Sequence, residues 1–132
     1  MHEFSIATQI LESLLEFAEE RQPAEVLKVR VEIGELMCIE REQLRFCYDS
    51  IKTNTLVMDS SLEITLIAAI VKCPYCQYEG PPKYWEEVRL AAVPTLQCPQ
   101  CGKTTEAIQG HDCAIKSVQF LESKNPVAIA GD

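Results

Sequence analysis

Between Ser5 and about Glu20 the apolar residues Ile6, Ile10, Leu11, Leu14, Phe17 and Ala18 recur at intervals of three and four, while Gln9, Glu12, Ser13, Glu16 and Glu19 fill the opposite side. That period predicts an amphipathic helix with one face to bury. The period then changes to two in VLKVRVEI, where Leu27, Val29, Val31 and Ile33 alternate with Lys28, Arg30 and Glu32 until Gly34 ends the run. Alternation of this kind is the mark of a half-buried strand. A second helix is predicted from about Arg41 to Thr53, with Leu44, Cys47, Tyr48 and Ile51 on one face. Leu62 to Val71 is the segment richest in β-branched and apolar residues, and predicts one continuous, more deeply buried strand running into Cys73. From 73 to 101 the periodicity lapses: two Cys-Pro-x-Cys pairs flank a stretch holding Gly80, Pro81, Pro82 and Pro94, which predicts a separate small module. After Gly110, CAIKSVQFLE has strand propensity with imperfect alternation and is expected to return beside the first two strands. SKNPVAIAGD shows no period and reads as a loose tail.

The pattern therefore predicts an α+β fold of two helices on a small three-stranded sheet, with an inserted zinc-ribbon-like module. Its domains are 1–71 plus 111–123 for the α+β core, 72–110 for the inserted module and 124–132 for a flexible tail.

Composition narrows the class. A chain of 132 residues with 47% hydrophobic and 24% charged residues has ordinary globular make-up and room for one core plus an accessory module. A net charge of −8 opposes binding to phosphate backbones unless the cations gather on one face. They do not gather in the module, where Lys72, Lys83, Arg89 and Lys103 are offset by Glu79, Glu86, Glu87 and Glu106. No nucleic acid partner is expected. The chain also lacks a signal-peptide pattern and any apolar run long enough to span a bilayer, so the expectation is a cytoplasmic protein without membrane insertion. In a reducing compartment its seven cysteines are metal ligands, redox centres or buried apolar residues before they are disulfides.

Cys73, Cys76, Cys98 and Cys101 form C-x2-C, 21 residues, C-x2-C, one residue beyond the usual zinc spacing. Two tight turns of this kind aim four thiolates at one ion, and a tetrahedral S4 shell suits Zn²⁺ with no position left for water, which makes the site structural rather than catalytic. The rival reading of CPYC is a thioredoxin-like dithiol, but such motifs open a helix after a strand, whereas Pro81 and Pro82 follow here and a second pair waits downstream. Iron–sulfur ligation is a residual alternative. Tyr75, Tyr78, Tyr84 and Trp85 are expected to pack as the module's small core, with a protein contact surface as the other reading. Cys38, Cys47 and Cys113 have no paired spacing and read as buried small hydrophobes.

His2 stands beside the amino terminus. The amine of Met1, the next amide nitrogen and the His2 imidazole can close adjacent chelate rings around a square-planar metal, a geometry favoured by Ni²⁺ and Cu²⁺. The bulky second residue favours retention of Met1, and Glu3 adds a carboxylate. Against this stands the plain reading of a solvated histidine with Glu3 complementing the positive end of the first helix. His111, the other imidazole, reads as a loop residue because four thiolates already complete the zinc shell.

The opening MHE with its amphipathic helix, VEIGEL at 31–36, LRFCYD at 44–49, the two Cys-x-x-Cys pairs and the closing G-x-D…IKS together resemble the HypA/HybF family of hydrogenase nickel-maturation proteins, over about residues 1–123. The resemblance implies a nickel metallochaperone rather than an enzyme, with Ni²⁺ as cargo at His2 and N-terminal backbone nitrogens, Glu3 in support, and structural Zn²⁺ on Cys73, Cys76, Cys98 and Cys101. It implies a HypB-type GTPase and the NiFe hydrogenase large subunit precursor as partners, and in some organisms urease as a client. It leaves monomer or homodimer open. Two departures stand out. Gly110-His111-Asp112-Cys113 replaces the family's usual Gly-x-Glu-Leu, which leaves the start of the last strand uncertain, and the longer histidine-containing insertion of some archaeal members is absent. The alternative from another class is a zinc-ribbon adaptor that binds protein or RNA without nickel.

Overall fold

The structure, a computed structural model, describes residues 3–85 and 93–122. Helix α1 (Glu3–Arg21) buries Ile6, Ala7, Ile10, Leu11, Leu14 and Ala18, the apolar stripe of the sequence. Phe17 at its edge is half-buried and meets the Phe120 ring edge-on at 5.3 Å. Helix α2 (Arg41–Ile51) stops two residues before the predicted Thr53 and buries Leu44 and Tyr48. Its N-cap is Glu40, whose carboxylate accepts the amides of Glu42 and Gln43, satisfying two of the donors a helix start leaves orphaned. The Glu40 amide in turn donates to Glu3 Oε2 at 3.0 Å, so the first residue of α1 is tied to the cap of α2.

Strand β1 (Glu25–Gly34) is central in a sheet of order β2-β1-β8, with β2 at Ser61–Ile67 and β8 at Cys113–Leu121. The last segment thus returns beside β1, on the side away from β2. Ala24 donates to the Leu121 carbonyl and Gly34 to the Asp112 carbonyl, both at 2.8 Å, which runs β8 against β1 in the opposite direction. Val29, Val31 and Ile33 are fully buried as the alternation predicts, but at the strand's start it is Val26 that is buried and Leu27 only half so. Below α2, Tyr48 donates to Ser60 Oγ at 2.6 Å, because that hydroxyl already gives its own proton to the Val57 carbonyl.

The predicted continuous strand from Leu62 to Val71 is instead two. β2 ends at Ile67, and β3 (Ile70–Lys72) joins a different sheet, of order β4-β3-β7, with β4 at Glu79–Gly80 and β7 at Glu106–Gln109. The break at Ala68 and Ala69 has a steric cause. Gly110, at φ 83°, lies so close that a Cβ on it would sit 2.7 Å from the Ala68 carbonyl oxygen, and a Cβ on Gly34 would sit 2.2 Å from the Gly110 carbonyl carbon. Only residues with little or no side chain allow backbones to cross at this distance. A third pairing, β5 (Tyr84–Trp85) with β6 (Val93–Pro94), completes the described strands.

The chain divides into two compact units. One comprises Met1–Val31, Ile39–Ile64 and Ile115–Asp132, and the other Glu32–Cys38 and Thr65–Ala114. In the second unit the 32–38 segment is stitched to 65–114. Leu36 donates to the Gly110 carbonyl at 2.8 Å, and the Glu35 carboxylate accepts the Ala69 amide at 2.8 Å and the Tyr84 hydroxyl at 2.8 Å. Residues 124–132, read as a flexible tail, lie outside the described residues.

Candidate metal centre

Each cysteine pair sits at the tip of a hairpin. The first caps β3 and β4, which pair antiparallel through Val71 with Gly80 and Lys72 with Glu79. The second lies between Gln97 and Thr104, which are bridged. The two tips repeat one geometry. In the first, Cys73 donates to the Tyr78 carbonyl at 2.8 Å and Gln77 donates to the Cys73 carbonyl at 3.0 Å; in the second, Cys98 donates to Lys103 and Gly102 to Cys98, both at 2.9 Å. The residue after each second cysteine takes the left-handed conformation, Gln77 at φ 70° and Gly102 at φ 78°. Thr105 pins the base of the second tip, with both its amide and its hydroxyl bonded to the Leu96 carbonyl at 2.7 Å.

These turns bring the four sulfurs within 4.8 Å of one another. Two separations between the pairs, Cys73 to Cys101 and Cys76 to Cys98, are each 3.5 Å. Four thiolates at about 2.3 Å from a tetrahedral zinc sit about 3.8 Å apart. The cluster thus has the dimensions of an S4 zinc site, and its sulfurs lie well beyond the roughly 2.05 Å of a disulfide. Cys73 opens a turn and not a helix, so the setting of a thioredoxin-like dithiol is missing here.

Local electrostatics favour thiolates at the buried members. Burial pushes the Cys98 thiol up, but the Cys101 and Gln100 amides and the neighbouring thiols outweigh it and bring it to about 7. The Gln100 and Cys101 amide nitrogens lie 3.3 and 3.5 Å from Cys98 Sγ. Cys73 is lowered in the same way, with burial opposed by the amides of Cys76 and Tyr75 and by the Cys101 and Cys76 thiols. For Cys76 the Tyr78 amide acts downward, yet burial and the three surrounding thiols push it up to about 12. A divalent cation resolves this crowding, since it replaces the retained protons with one charge shared by four sulfurs. Two amide donors per buried sulfur are the outer support that a tetrathiolate needs.

Other expected site residues are distributed differently. Met1 and His2 lie outside the described residues. Glu3 opens α1 with its carboxylate on the Glu40 amide. His111 is exposed in the turn before β8 and, among the described residues, belongs to no cluster of three or more metal-capable side chains. Two expectations are corrected. Cys38 is exposed, held at φ 54° at the end of the 3-10 turn Glu35–Met37, and Cys47 and Cys113 are only half-buried. Tyr75 and Trp85 do not form a core, being 65% and 63% exposed, while Ala69, Val71, Cys73 and Cys98 supply the buried interior of that unit. With sulfur ligands filling the centre, no room remains for aromatic rings. The sequence reading also missed Glu35 as the acceptor for Tyr84 and Ala69; the only cue was its place directly after a strand-ending glycine.

No helix among the described residues is long and apolar enough to cross a membrane. Comparison with known proteins gives a consistent answer. The family model described as hydrogenase/urease nickel incorporation, metallochaperone, HypA matches residues 1–120. The hydrogenase maturation factor HypA of Methanocella arvoryzae is 37% identical over 120 residues, covering 91% of this chain and 98% of that protein. The factor of the same name in Methanopyrus kandleri is 33% identical over 132 residues, covering 91% and 93%. Among solved structures, the Ni metallochaperone HypA from Helicobacter pylori superposes with a TM-score of 0.65 at 21% identity, covering 93% of this chain and 100% of that one. A second HypA solution structure gives 0.62 at 22% identity, covering 92% and 97%. At these identities the structural likeness speaks for the fold.

Proposed function

Because the chain belongs to the HypA family of nickel-incorporating metallochaperones, we propose that it carries Ni²⁺ at its N-terminus, on the Met1 amine, the adjoining backbone nitrogen and His2, and delivers it during maturation of NiFe hydrogenase. The observation that carries this reading is the exclusiveness of the sulfur cluster. Among the described residues, the four cysteines are the one group of three or more metal-capable side chains that converge. Four ligands close the shell around zinc and leave no exchangeable position, so that ion is scaffold. Cargo requires a second site that can open, and nitrogen ligands at a chain terminus provide one.

Glu3 has a definite part in this scheme. Its bond to the Glu40 amide anchors the beginning of α1 on the cap of α2. The protein acts as a carrier and not as a catalyst, in a reducing compartment such as the cytoplasm where the thiolates stay available to metal. Its partners are a HypB-type GTPase and the immature hydrogenase large subunit, with urease as a further client.

Metal analysis of untagged protein before and after addition of nickel tests the assignment. The expected result is about one zinc per chain as isolated, and about one nickel in addition after loading, with His2→Ala losing the nickel and keeping the zinc. Displacement of zinc by nickel, atom for atom, would put the cargo in the sulfur cluster and refute the division of labour.

A further inference from the structure

The two halves of the sulfur cluster face different surroundings. Cys73 and Cys98 are buried, whereas Cys76 and Cys101 are exposed. Water, protons and competing chelators therefore reach the sulfurs from the Cys76 and Cys101 flank. Side chains from each tip cross to the other there. Tyr75, between the cysteines of the first tip, carries Lys103 of the second tip over its ring, with the ammonium 4.8 Å from the centroid. Gln100, at the matching place in the second tip, has its side-chain oxygen 4.0 Å from Cys76 Sγ, accepting from that thiol. Both crossing partners of the first pair are tied to the ligand turns, since the Lys103 carbonyl accepts the Cys98 amide at 2.9 Å. A shallow cleft of about 370 Å³, lined by Tyr75, Gly102, Lys103 and Thr104, opens beside them.

We propose that Tyr75 and Lys103 form an outer clasp across the two tips that sets how firmly the tetrathiolate holds its zinc. The Tyr75 ring joins the tips mechanically by holding the Lys103 ammonium of the other tip over its face, which opposes the parting of the two ligand pairs. Its face attracts the ammonium at a strength that corresponds to about two- to fivefold in an equilibrium or rate at an exposed site. Neither residue is needed to fill a core, because Tyr75 is 65% exposed and Lys103 is exposed. Their pairing holds a site and not a fold. This inference rests on the zinc assignment of the four cysteines.

The test is the rate of zinc transfer to an excess of a chromophoric chelator, for native protein and exposed-site variants. Lys103→Met and Tyr75→Leu should each speed transfer about two- to fivefold, and the double variant should be no faster than the faster of the two, because both break the same contact. Lys103→Arg and Tyr75→Phe, which preserve cation and ring, should transfer at the native rate. Circular dichroism of every variant should stay unchanged, because both side chains are exposed. Native transfer rates in all four variants would overturn the clasp and leave the zinc site standing. Native protein isolated without zinc would overturn the zinc assignment, and the clasp with it.

Discussion

Gln77 and Gly102 occupy equivalent places after the second cysteine of each tip, at φ 70° and φ 78°, but only one of them is glycine. An L-residue with a side chain is strained there, and glycine is not. Gln77→Gly should therefore stabilise the zinc-loaded protein by about 0.5–1 kcal/mol, seen as a raised denaturation midpoint with unchanged zinc content. An unchanged or lowered midpoint would show that the Gln77 side chain compensates its own strain. At this scale the sequence was informative about ligands and poor about their surroundings. Cysteine spacing identifies Cys73, Cys76, Cys98 and Cys101 because chelation requires it, and those four sulfurs do converge. Nothing in the one-dimensional pattern distinguishes exposed Cys38 from a buried thiol, or tells that Tyr75 and Trp85 face solvent, because burial depends on what else fills the interior.

Among the elements, α1, α2 and β1 were legible because each has one buried face, which imposes its period on the sequence. The split between β2 and β3 was not. Every residue from Leu62 to Val71 except Glu63 and Thr65 is apolar or small, and the cause of the break is Gly110, some forty residues away along the chain. The strap around Glu35 gives a pH prediction. Burial, the hydrogen bond to Glu35 and the charge of that carboxylate all raise the Tyr84 hydroxyl above its ordinary value. A group raised on folding contributes stability that is complete below its unfolded value, about 10, and that falls as pH rises through its folded value. Native protein should lose stability above about pH 10, and Tyr84→Phe should lack that part of the loss; identical alkaline profiles of denaturation midpoint in the two proteins would remove the strap from the account. The hairpin tips make a stronger claim. Cys98→Ser should abolish tight zinc binding and raise amide exchange throughout β3, β4 and β7, because the metal's binding energy is the folding energy of these loops, while α1 and α2 keep native protection. Retained protection in β3 and β7 without zinc would mean that their apolar contacts suffice.

The molecule as a whole separates two metal chemistries. Soft thiolates on two hairpin tips converge with the dimensions of a closed site for one ion, and the nitrogen donors of Met1 and His2 are proposed for the other. A net charge of −8 opposes a phosphate backbone more than a protein partner. The terminal chelate is the central claim, and position is its mechanism, so the decisive measurement alters position alone. Nickel titration should be run side by side on native protein, on His2→Ala, and on protein extended by Gly-Ser ahead of Met1. The extension leaves His2 and Glu3 chemically intact but moves the free amine out of the chelate ring. Binding should fall nearly as far as in His2→Ala, with zinc content and helical signal unchanged. Undiminished nickel affinity in the extended protein would contradict the account, since an imidazole that binds without the amine is an ordinary surface site.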